Sequence, residues 1–185
     1  MNEWSNIGSL ARSSWNATPT TIYYNSESYG SGNNARLVFG GVCTAQFGLN
    51  LCSGAQGVAW GIDTSYANCS LGTSCAVLKW VTKLDTGQFL DSCYDLSDPA
   101  DEVSCLFEKQ AITAHELGHT VSLGHQPTIS SGFDGNCGSA TEYQSVMDYD
   151  CIANAIINGP TAWDSCGVNH AYYDPGAGWG GCTTP

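Results

Sequence analysis

The sequence predicts a single domain in which α-helices and β-strands are mixed. Its 185 residues are enough for one proper core and too few for two comfortable domains. Two segments, 57–62 and 75–84, are rich in β-branched and aromatic residues, and the second alternates in the manner of a strand. A helix is predicted between Asp98 and Val121, because residues 97–102 supply a capping residue, a proline at the first position and carboxylates in the first turn.

The remaining elements are predicted from local composition. Residues 1–20 are polar and rich in turn formers, which favours an ordered arm anchored by Trp4 and Trp15. The β-branched and aromatic run over 20–24 indicates a short strand. The further predictions are a helix over 34–47, a strand over 88–96 and a terminal helix over 160–173.

Three imidazoles and one carboxylate lie in the stretch from His115 to His125. If this stretch is helical, His115 and His119 project from one face, about one turn apart, and both can bind one tetrahedral zinc ion. Glu116 is rotated from His115 by about 100°, which places it within reach of a water molecule at the metal. A break in the helix, which Gly124 would permit, lets His125 fold back as a third ligand. A metal that acidifies water beside a carboxylate that takes the proton is the chemistry of a hydrolase.

The same stretch, HELGHTVSLGH, resembles the long zinc signature HExxHxxGxxH of the metzincin metallopeptidases. Ala114 and the HELGH core are closest to the matrixin branch of that family. Ser122 stands where the family has glycine, so the turn out of the helix is made by serine or is shifted to Gly124. A residue other than glycine in left-handed geometry costs about 1–2 kcal/mol, which a folded protein tolerates.

A second motif supports the resemblance. Metzincins carry a methionine in a tight turn beneath the metal site, and Ser145-Val146-Met147-Asp148-Tyr149 resembles that Met-turn. Met147 lies 22 residues after His125, and Met1 is the only other methionine. Tyr149 matches the astacin and serralysin pattern, in which a tyrosine at this position lies at the metal and stabilises the reaction intermediate. The resemblance thus implies a structural role for Met147 and a catalytic role for Tyr149, with a buried structural tyrosine as the alternative.

The resemblance implies a fold and an activity for the whole chain. The fold would be α/β (α+β), a disulfide-rich metzincin-like catalytic domain with a twisted, mostly parallel sheet, an active-site helix and a smaller C-terminal subdomain. Residues 1–185 would form this one domain, with an upper part over about 1–125 and a lower part over about 126–185. The activity would be that of a zinc-dependent endopeptidase acting on protein or peptide substrates, with an edge strand pairing the extended substrate. The implied zinc ligands are His115, His119 and His125, and the implied general base is Glu116.

Cysteine usage indicates an oxidising compartment. The chain has ten cysteines, and its metal site can be built from histidine alone, so five disulfides and a secreted protein are expected. No CxxC pair occurs, which argues against a cysteine-based zinc site. Short-range pairs are predicted for Cys43–Cys52, Cys69–Cys75 and Cys93–Cys105, which leaves Cys137, Cys151, Cys166 and Cys182 for the segment after the metal site.

The charge balance is acidic, with 17 Asp and Glu against 5 Lys and Arg and a formal net charge of −12. Such a surface repels phosphate backbones, so nucleic-acid binding is not expected. No segment approaches 18 consecutive apolar residues, which argues against a membrane span. The chain begins on polar sequence without a leader, and with its disulfides this indicates the mature form of a secreted protein. A monomer is expected.

Other metal sites are weighed by the available side chains. The acidic residues near the start of the predicted helix can cap it or, as the weaker alternative, bind Ca²⁺ through hard oxygen ligands. These residues are Asp95, Asp98, Asp101 and Glu102. The second, structural zinc of vertebrate matrixins would need about three more histidines, and only His170 remains outside the motif, so one zinc ion is predicted.

Two alternatives to the peptidase interpretation stay open. The chain could be a zinc-containing extracellular binding or adhesion module without turnover, although a structural zinc site needs no carboxylate such as Glu116. Alternatively, Glu142, 23 residues after His119, could be the third ligand, as in the gluzincin pattern. In that case His125 would not be needed to bind the metal.

Overall fold

The computed structural model describes residues 3–20, 22–25, 35–40, 43–46, 49–52, 57–61, 80–85, 99–121, 123–125, 144–148, 151–152 and 157–173. The helices within these ranges are α1 (Glu3–Asn16), α2 (Pro99–Thr120) and α3 (Ala162–Tyr173), with a further helical stretch at 151–152. The strands are β1 (Ala35–Gly40), β2 (Cys43–Gln46), β3 (Leu49–Cys52), β4 (Gly57–Gly61) and β5 (Trp80–Asp85).

The described strands form two small sheets. In the larger one β5 lies between β1, which runs parallel to it, and β4, which runs antiparallel. The strands β2 and β3 pair antiparallel in a separate two-stranded sheet. Leu84 on β5 is buried against Ala111 and Ile112 of α2, and this contact attaches the larger sheet to the helix.

The predicted fold class, an α/β (α+β) metzincin-like domain with a twisted, mostly parallel sheet, is wrong. The described part of the chain is mainly helical, and only one of its three strand pairings is parallel. The physical reason is that the metal motif determines a helix and a turn, whereas strand pairing depends on which apolar faces pack elsewhere. Much of the buried apolar surface here lies on helices, chiefly where α1 packs against α2.

Several predictions for individual elements are also corrected. Residues 34–47 were expected to form a helix, but the segment contains β1 and β2. Pairing of β1 along its length with β5 outweighs a helical tendency that glycines 40 and 41 already weaken. Residues 22–25 form neither helix nor strand. The strand prediction over 57–62 is confirmed by β4, that over 75–84 overlaps β5, and the one over 88–96 lies outside the described residues.

Helix α1 replaces the predicted N-terminal arm. Ile7, Ala11 and Trp15 recur every fourth residue and are all buried, so they form the face that packs on α2. Trp15 also donates a hydrogen bond of 2.8 Å from Nε1 to the carbonyl of Ala114 in α2. A buried indole nitrogen needs such a partner, and this bond fixes α1 next to the residue that precedes the metal motif.

Helix α2 runs through the centre of the described structure. It begins at Pro99 and ends at Thr120, which confirms the helix predicted between Asp98 and Val121. Residues 111–118 are all buried, so this part of the helix is covered on every side. None of the described helices has the combined length and apolar character that a bilayer crossing requires.

The described cysteines for which a state can be assigned are oxidised. Cys105, Cys151 and Cys166 are disulfide-bonded. Cys43 and Cys52 lie directly opposite each other in the β2–β3 ladder. Opposite residues in an antiparallel pair have Cα atoms about 4.5–5.5 Å apart, within the range that a disulfide spans, so this register supports the predicted pairing. The predicted partners Cys69, Cys75 and Cys93 lie outside the described residues.

Candidate metal centre

Three histidines converge at the end of α2. His115 and His119 lie one turn apart on the helix, and His125 follows after the chain has turned back. One ligand atom from each ring can be chosen so that the three atoms all lie within 4.8 Å of one another. The ring centroids are 4.8 Å apart for His115 and His119, 5.1 Å for His115 and His125, and 4.9 Å for His119 and His125. We call these residues the histidine triad.

The turn that brings His125 to the triad starts directly after Thr120. The N–H groups of Val121 and Leu123 both donate to the carbonyl of Gly118, at 3.1 and 3.2 Å. A bond that spans five residues in this way is the closure of a Schellman-type helix end. Leu123 is buried and anchors the turn in the core, while His125 is exposed.

The predicted helix break at Gly124 is therefore placed too late. The helix ends four residues earlier, and the φ angle of Gly124 is not in the left-handed range. A Cβ added at Gly124 would also have no neighbour within 4 Å, so neither space nor backbone conformation requires a glycine there. The bonds from Val121 and Leu123 place the helix end directly after Thr120, and Ser122 lies outside the described residues.

Two of the three rings are held in a fixed tautomer. Nδ1 of His115 lies 2.8 Å from the carbonyl oxygen of Val146, and Nδ1 of His119 lies 2.8 Å from that of Leu123. A carbonyl oxygen can only accept, so Nδ1 carries the proton in both rings. The lone pair is then on Nε2, which is the arrangement that metal-binding histidines use.

Burial keeps these two rings neutral. It lowers the pKa of His115 to about 3, with a further contribution from the charge of His119. It also lowers the pKa of His119 below its ordinary value, against a hydrogen bond to Leu123 that raises it. A metal ion competes with protons for the imidazole, so rings that are already neutral near pH 7 are ready to bind one.

Glu116 is buried beside the triad with an unsatisfied oxygen. Its Oε2 has no hydrogen-bond partner, and burial raises its pKa to about 8. An orphan polar atom at such depth points to a missing water or ion. A dication bound by the adjacent His115 would lower the pKa of this carboxyl and return it to the ionised form.

The first residue of β4 packs directly on Glu116. A Cβ added at Gly57 would lie 2.7 Å from Cγ and 2.8 Å from Oε1 of that side chain. Real Cβ atoms do not approach other atoms so closely, so a side chain at position 57 would displace the carboxyl group. The added Cβ points out of the plane of the sheet, so Glu116 lies against the face of β4, which among the described strands has a neighbour on one side only.

Met147 lies beneath the site against Gly118. It is fully buried, and a Cβ at Gly118 would clash with its Sδ and lie 3.1 Å from Cζ2 of Trp15. The turn around Met147 is closed by a bond of 3.1 Å from the N–H of Asp148 to the carbonyl of Ser145. The glycine of the HELGH core thus allows the methionine turn to approach the helix that carries the triad.

Two polar residues outside the motif stabilise the end of α2. The hydroxyl of Tyr24 donates to the carbonyl of Leu117 at 2.6 Å and lies 2.7 Å from Oγ1 of Thr120. Asn16 holds the backbone of Tyr24 from both sides, accepting from its N–H at 2.7 Å and donating to its carbonyl at 2.9 Å. The carbonyl of Leu117, near the helix end, thereby gains a partner from Tyr24 in addition to Oγ1 of Thr120, which donates to it at 2.7 Å.

The donor set fits one zinc ion. Three imidazoles, two of them with Nε2 free to bind, are a known zinc ligand set, and they leave a fourth position open as catalytic sites require. The buried, unpartnered oxygen of Glu116 is the second observation that fits a cation and a water molecule here. Within the described residues no other group of three potential metal ligands was found.

Some predicted site residues cannot be placed. Tyr149, the possible catalytic tyrosine, lies outside the described residues, as does Glu142, the alternative third ligand. The side chain of His170 is also outside them, although its backbone lies in α3. Of the proposed calcium ligands Asp101 and Glu102 lie in the first turn of α2, as helix capping predicts, and their side chains are not described. The calcium proposal stays open.

Sequence reasoning named Trp15 as an anchor of the N-terminal segment but missed that this residue, Tyr24 and Gly57 support the metal site. Trp15 and Tyr24 come from the segment that was predicted to be an arm and a strand, and Gly57 from a strand whose neighbour could not be foreseen. The four-residue spacing of Ile7, Ala11 and Trp15 was a helical signal that could have been found. No family model, curated protein or solved structure matches the chain.

Proposed function

We propose that this protein is a zinc-dependent endopeptidase. The observation that carries the proposal is the convergence of the histidine triad beside the buried carboxyl group of Glu116. The resemblance of two separate motifs to metzincins, HELGHTVSLGH and the turn around Met147, supports the same activity, independently of the fold. The substrate class is protein or peptide.

The histidine triad would hold the ion, and Glu116 would move the proton. Zinc would supply Lewis acidity, polarising the scissile carbonyl and making water easier to deprotonate. Glu116 accepts the proton of the attacking water and then donates it to the nitrogen of the departing amine. One water molecule is consumed, the C–N bond breaks, and a carboxylic acid and an amine are formed.

The edge of β4 that pairs with no other described strand offers a place for the substrate backbone. An extended peptide can pair with an exposed strand edge through main-chain hydrogen bonds, which do not depend on its side chains. Because β4 begins at Gly57, directly against Glu116, a peptide on this edge would pass close to the base. Tyr149 would add a hydrogen bond to the oxyanion if it reaches the site.

We further propose that the protein is secreted and works as a monomer. The disulfide-bonded state of Cys105, Cys151 and Cys166 supports an oxidising compartment. The net charge of −12 supports the absence of nucleic-acid partners. One zinc ion per chain is expected, and a calcium ion remains a weaker proposal.

The test replaces the base and leaves the ligands intact. Glu116→Gln should bind as much zinc as the wild type, because the triad is unchanged, and should cleave a proteome-derived peptide library about 10²–10⁴-fold more slowly. Glu108→Gln makes the same substitution on the same helix, outside the motif, and should retain activity within about twofold. Cleavage that survives Glu116→Gln would refute the role of this residue. Zinc binding without any cleavage by the wild type would favour the binding-module alternative.

A second variant decides the third ligand. His125→Ala should weaken zinc binding on the order of a hundredfold or more, because one of three ligands is lost. Under the gluzincin alternative the same variant would bind zinc nearly as well as the wild type, and Glu142→Gln would lose it instead.

A further inference from the structure

A buried carboxylate in α3 is joined to the turn around Met147. Asp164 is fully buried and lies three residues after Thr161, whose N–H donates to its Oδ2 at 2.8 Å. This is the reciprocal contact of a capping box at the start of α3. The same oxygen also accepts from the N–H of Val146 at 2.9 Å, and Oδ1 accepts from Oγ of Ser145 at 2.5 Å. The carboxylate therefore does more than cap its own helix.

The hydrogen bonds continue from Ser145 to the metal site. Oγ of Ser145 accepts from the N–H of Met147 at 2.9 Å, so its own proton is the one donated to Asp164. That N–H shares a peptide unit with the carbonyl of Val146. The carbonyl accepts the bond from Nδ1 of His115, at 2.8 Å.

All donors in this series of hydrogen bonds are oriented in the same direction. Each proton is directed from His115 towards Asp164, through a peptide group and a hydroxyl. Hydrogen bonds arranged head to tail polarise one another, and an ionised terminal acceptor strengthens the effect. Burial raises the pKa of Asp164, but hydrogen bonds from Ser145, Thr161 and Val146 lower it, and all three residues donate to a carboxyl group that acts only as an acceptor. An imidazole whose N–H is polarised in this way carries more electron density on its other nitrogen, which is the one available to a metal.

His119 provides an internal comparison. Its Nδ1 donates to the carbonyl of Leu123, and the N–H of Leu123 returns to the carbonyl of Gly118 in the last turn of α2. The partner of His119 is thus held by the helix end itself. The peptide unit of the Leu123 carbonyl carries the N–H of Gly124, and no described hydrogen bond joins this N–H to a carboxylate, whereas the bonds from His115 lead to Asp164.

We propose that Asp164 is a positioning residue for His115, acting through Ser145 and the peptide between Val146 and Met147 to orient the ring and strengthen its bond to the metal. The inference rests on the proposed zinc site. It assigns to α3 a part in zinc affinity, although no residue of α3 is itself a predicted ligand. It also assigns a role to Ser145 in the methionine turn: its hydroxyl group connects the carboxylate of Asp164 to the peptide group and so transmits the polarisation.

The experiment interrupts the hydrogen-bond chain at its middle and at its end. Ser145→Ala removes the connecting hydroxyl, and Asp164→Asn keeps the shape of the side chain but removes its charge. Both variants should weaken Zn²⁺ binding, measured by competition with a chelator, by about 10–100-fold. Ser165→Ala is the matched control. The buried hydroxyl of Ser165 donates to the carbonyl of Thr161 at 2.9 Å and does not belong to the series of hydrogen bonds between His115 and Asp164. This variant should change zinc affinity by no more than about twofold.

A spectroscopic readout separates polarisation from general destabilisation. In the zinc-loaded protein the Nδ1 proton of His115 should shift upfield in Ser145→Ala, while that of His119 stays in place. Folded Ser145→Ala and Asp164→Asn proteins that keep both the wild-type zinc affinity and the wild-type His115 resonance would overturn the inference. If Asp164→Asn does not fold, Ser145→Ala alone decides. A wild-type protein that binds no zinc would overturn the proposed function and this inference together, whereas a change confined to the variants concerns only the inference.

Discussion

Replacing Gly118 with alanine tests the packing beneath the metal site, because the sign of the change in the free energy of unfolding depends on that packing. Helix propensity alone predicts stabilisation, because alanine is better than glycine in a helix interior by about 0.8–1.0 kcal/mol. The structure predicts the opposite. The new Cβ would clash with Sδ of Met147 and lie 3.1 Å from Trp15, and both of these side chains are fully buried.

The magnitude follows from the two opposing terms. An extra carbon in a close-packed core typically costs about 1–3 kcal/mol, and the severe contact with Met147 places this case towards the upper end. After the gain in propensity, the free energy of unfolding should fall by about 1–2 kcal/mol, with a Tm about 2–8 °C lower. Zinc affinity should fall as well, because the displaced turn carries the carbonyl of Val146 that holds His115.

The assay is urea unfolding with the disulfides intact, together with zinc titration. Gly124→Ala is the matched control, since nothing lies within 4 Å of its added Cβ, and it should stay within about 0.5 kcal/mol of the wild type. In a Met147→Ala background the clash is relieved, so Gly118→Ala should become nearly neutral or stabilising, which a double-mutant cycle reveals as coupling. A Gly118→Ala protein as stable as the wild type would refute the reasoning.

Three further predictions concern the base, the helix end and the pH dependence. Gly57→Ala should lower kcat at least about tenfold while zinc content stays constant, because it displaces the carboxyl group of Glu116; unchanged kinetics would contradict the contact. Tyr24→Phe should reduce the free energy of unfolding by about 1 kcal/mol, the value of its hydroxyl bonds to α2, and wild-type stability would argue against them. In the metal-free protein the pKa of His115 is depressed to about 3, so its contribution to stability is present above pH 6.5 and is lost as the pH falls towards 3. The pKa of Glu116 is raised to about 8, so its contribution to stability is present below pH 4.5 and is lost as the pH rises through 8. Between pH 4.5 and 6.5 the two groups therefore change stability with pH in opposite directions. Without its carboxyl group, metal-free Glu116→Gln should lose stability on acidification more steeply than the wild type, by up to about 1.4 kcal/mol per pH unit. Urea-unfolding free energies of the two proteins that run parallel with pH would contradict the two pKa shifts.

Local signals in the sequence predicted the elements that they encode directly. Pro99 begins α2 as the capping pattern indicates, and α3 begins at Ala162, within two residues of the predicted start. The spacing of His115 and His119 needs only helix geometry, so their shared face could be predicted from the motif alone.

Contacts between distant segments were not predictable in this way. The Thr161–Asp164 spacing indicates a helix cap, but the additional bonds from Asp164 to Ser145 and Val146 depend on how α3 docks against the methionine turn. The approach of Gly57 to Glu116 likewise depends on where β4 packs against α2. Local sequence predicted the strand itself but carries no signal for that packing. The predicted mostly parallel sheet was wrong for the same reason, because strand order and direction arise from pairing between distant segments.

The central claim is that the histidine triad binds one zinc ion and leaves a position open for catalysis. X-ray absorption spectroscopy at the zinc edge of the metal-loaded protein tests it most directly. The account predicts one zinc per chain with three imidazole nitrogens at about 2.0–2.1 Å and one further light ligand, and one imidazole fewer in His125→Ala. Sulfur ligands at about 2.3 Å, or a wild-type site with fewer than three imidazoles, would contradict it.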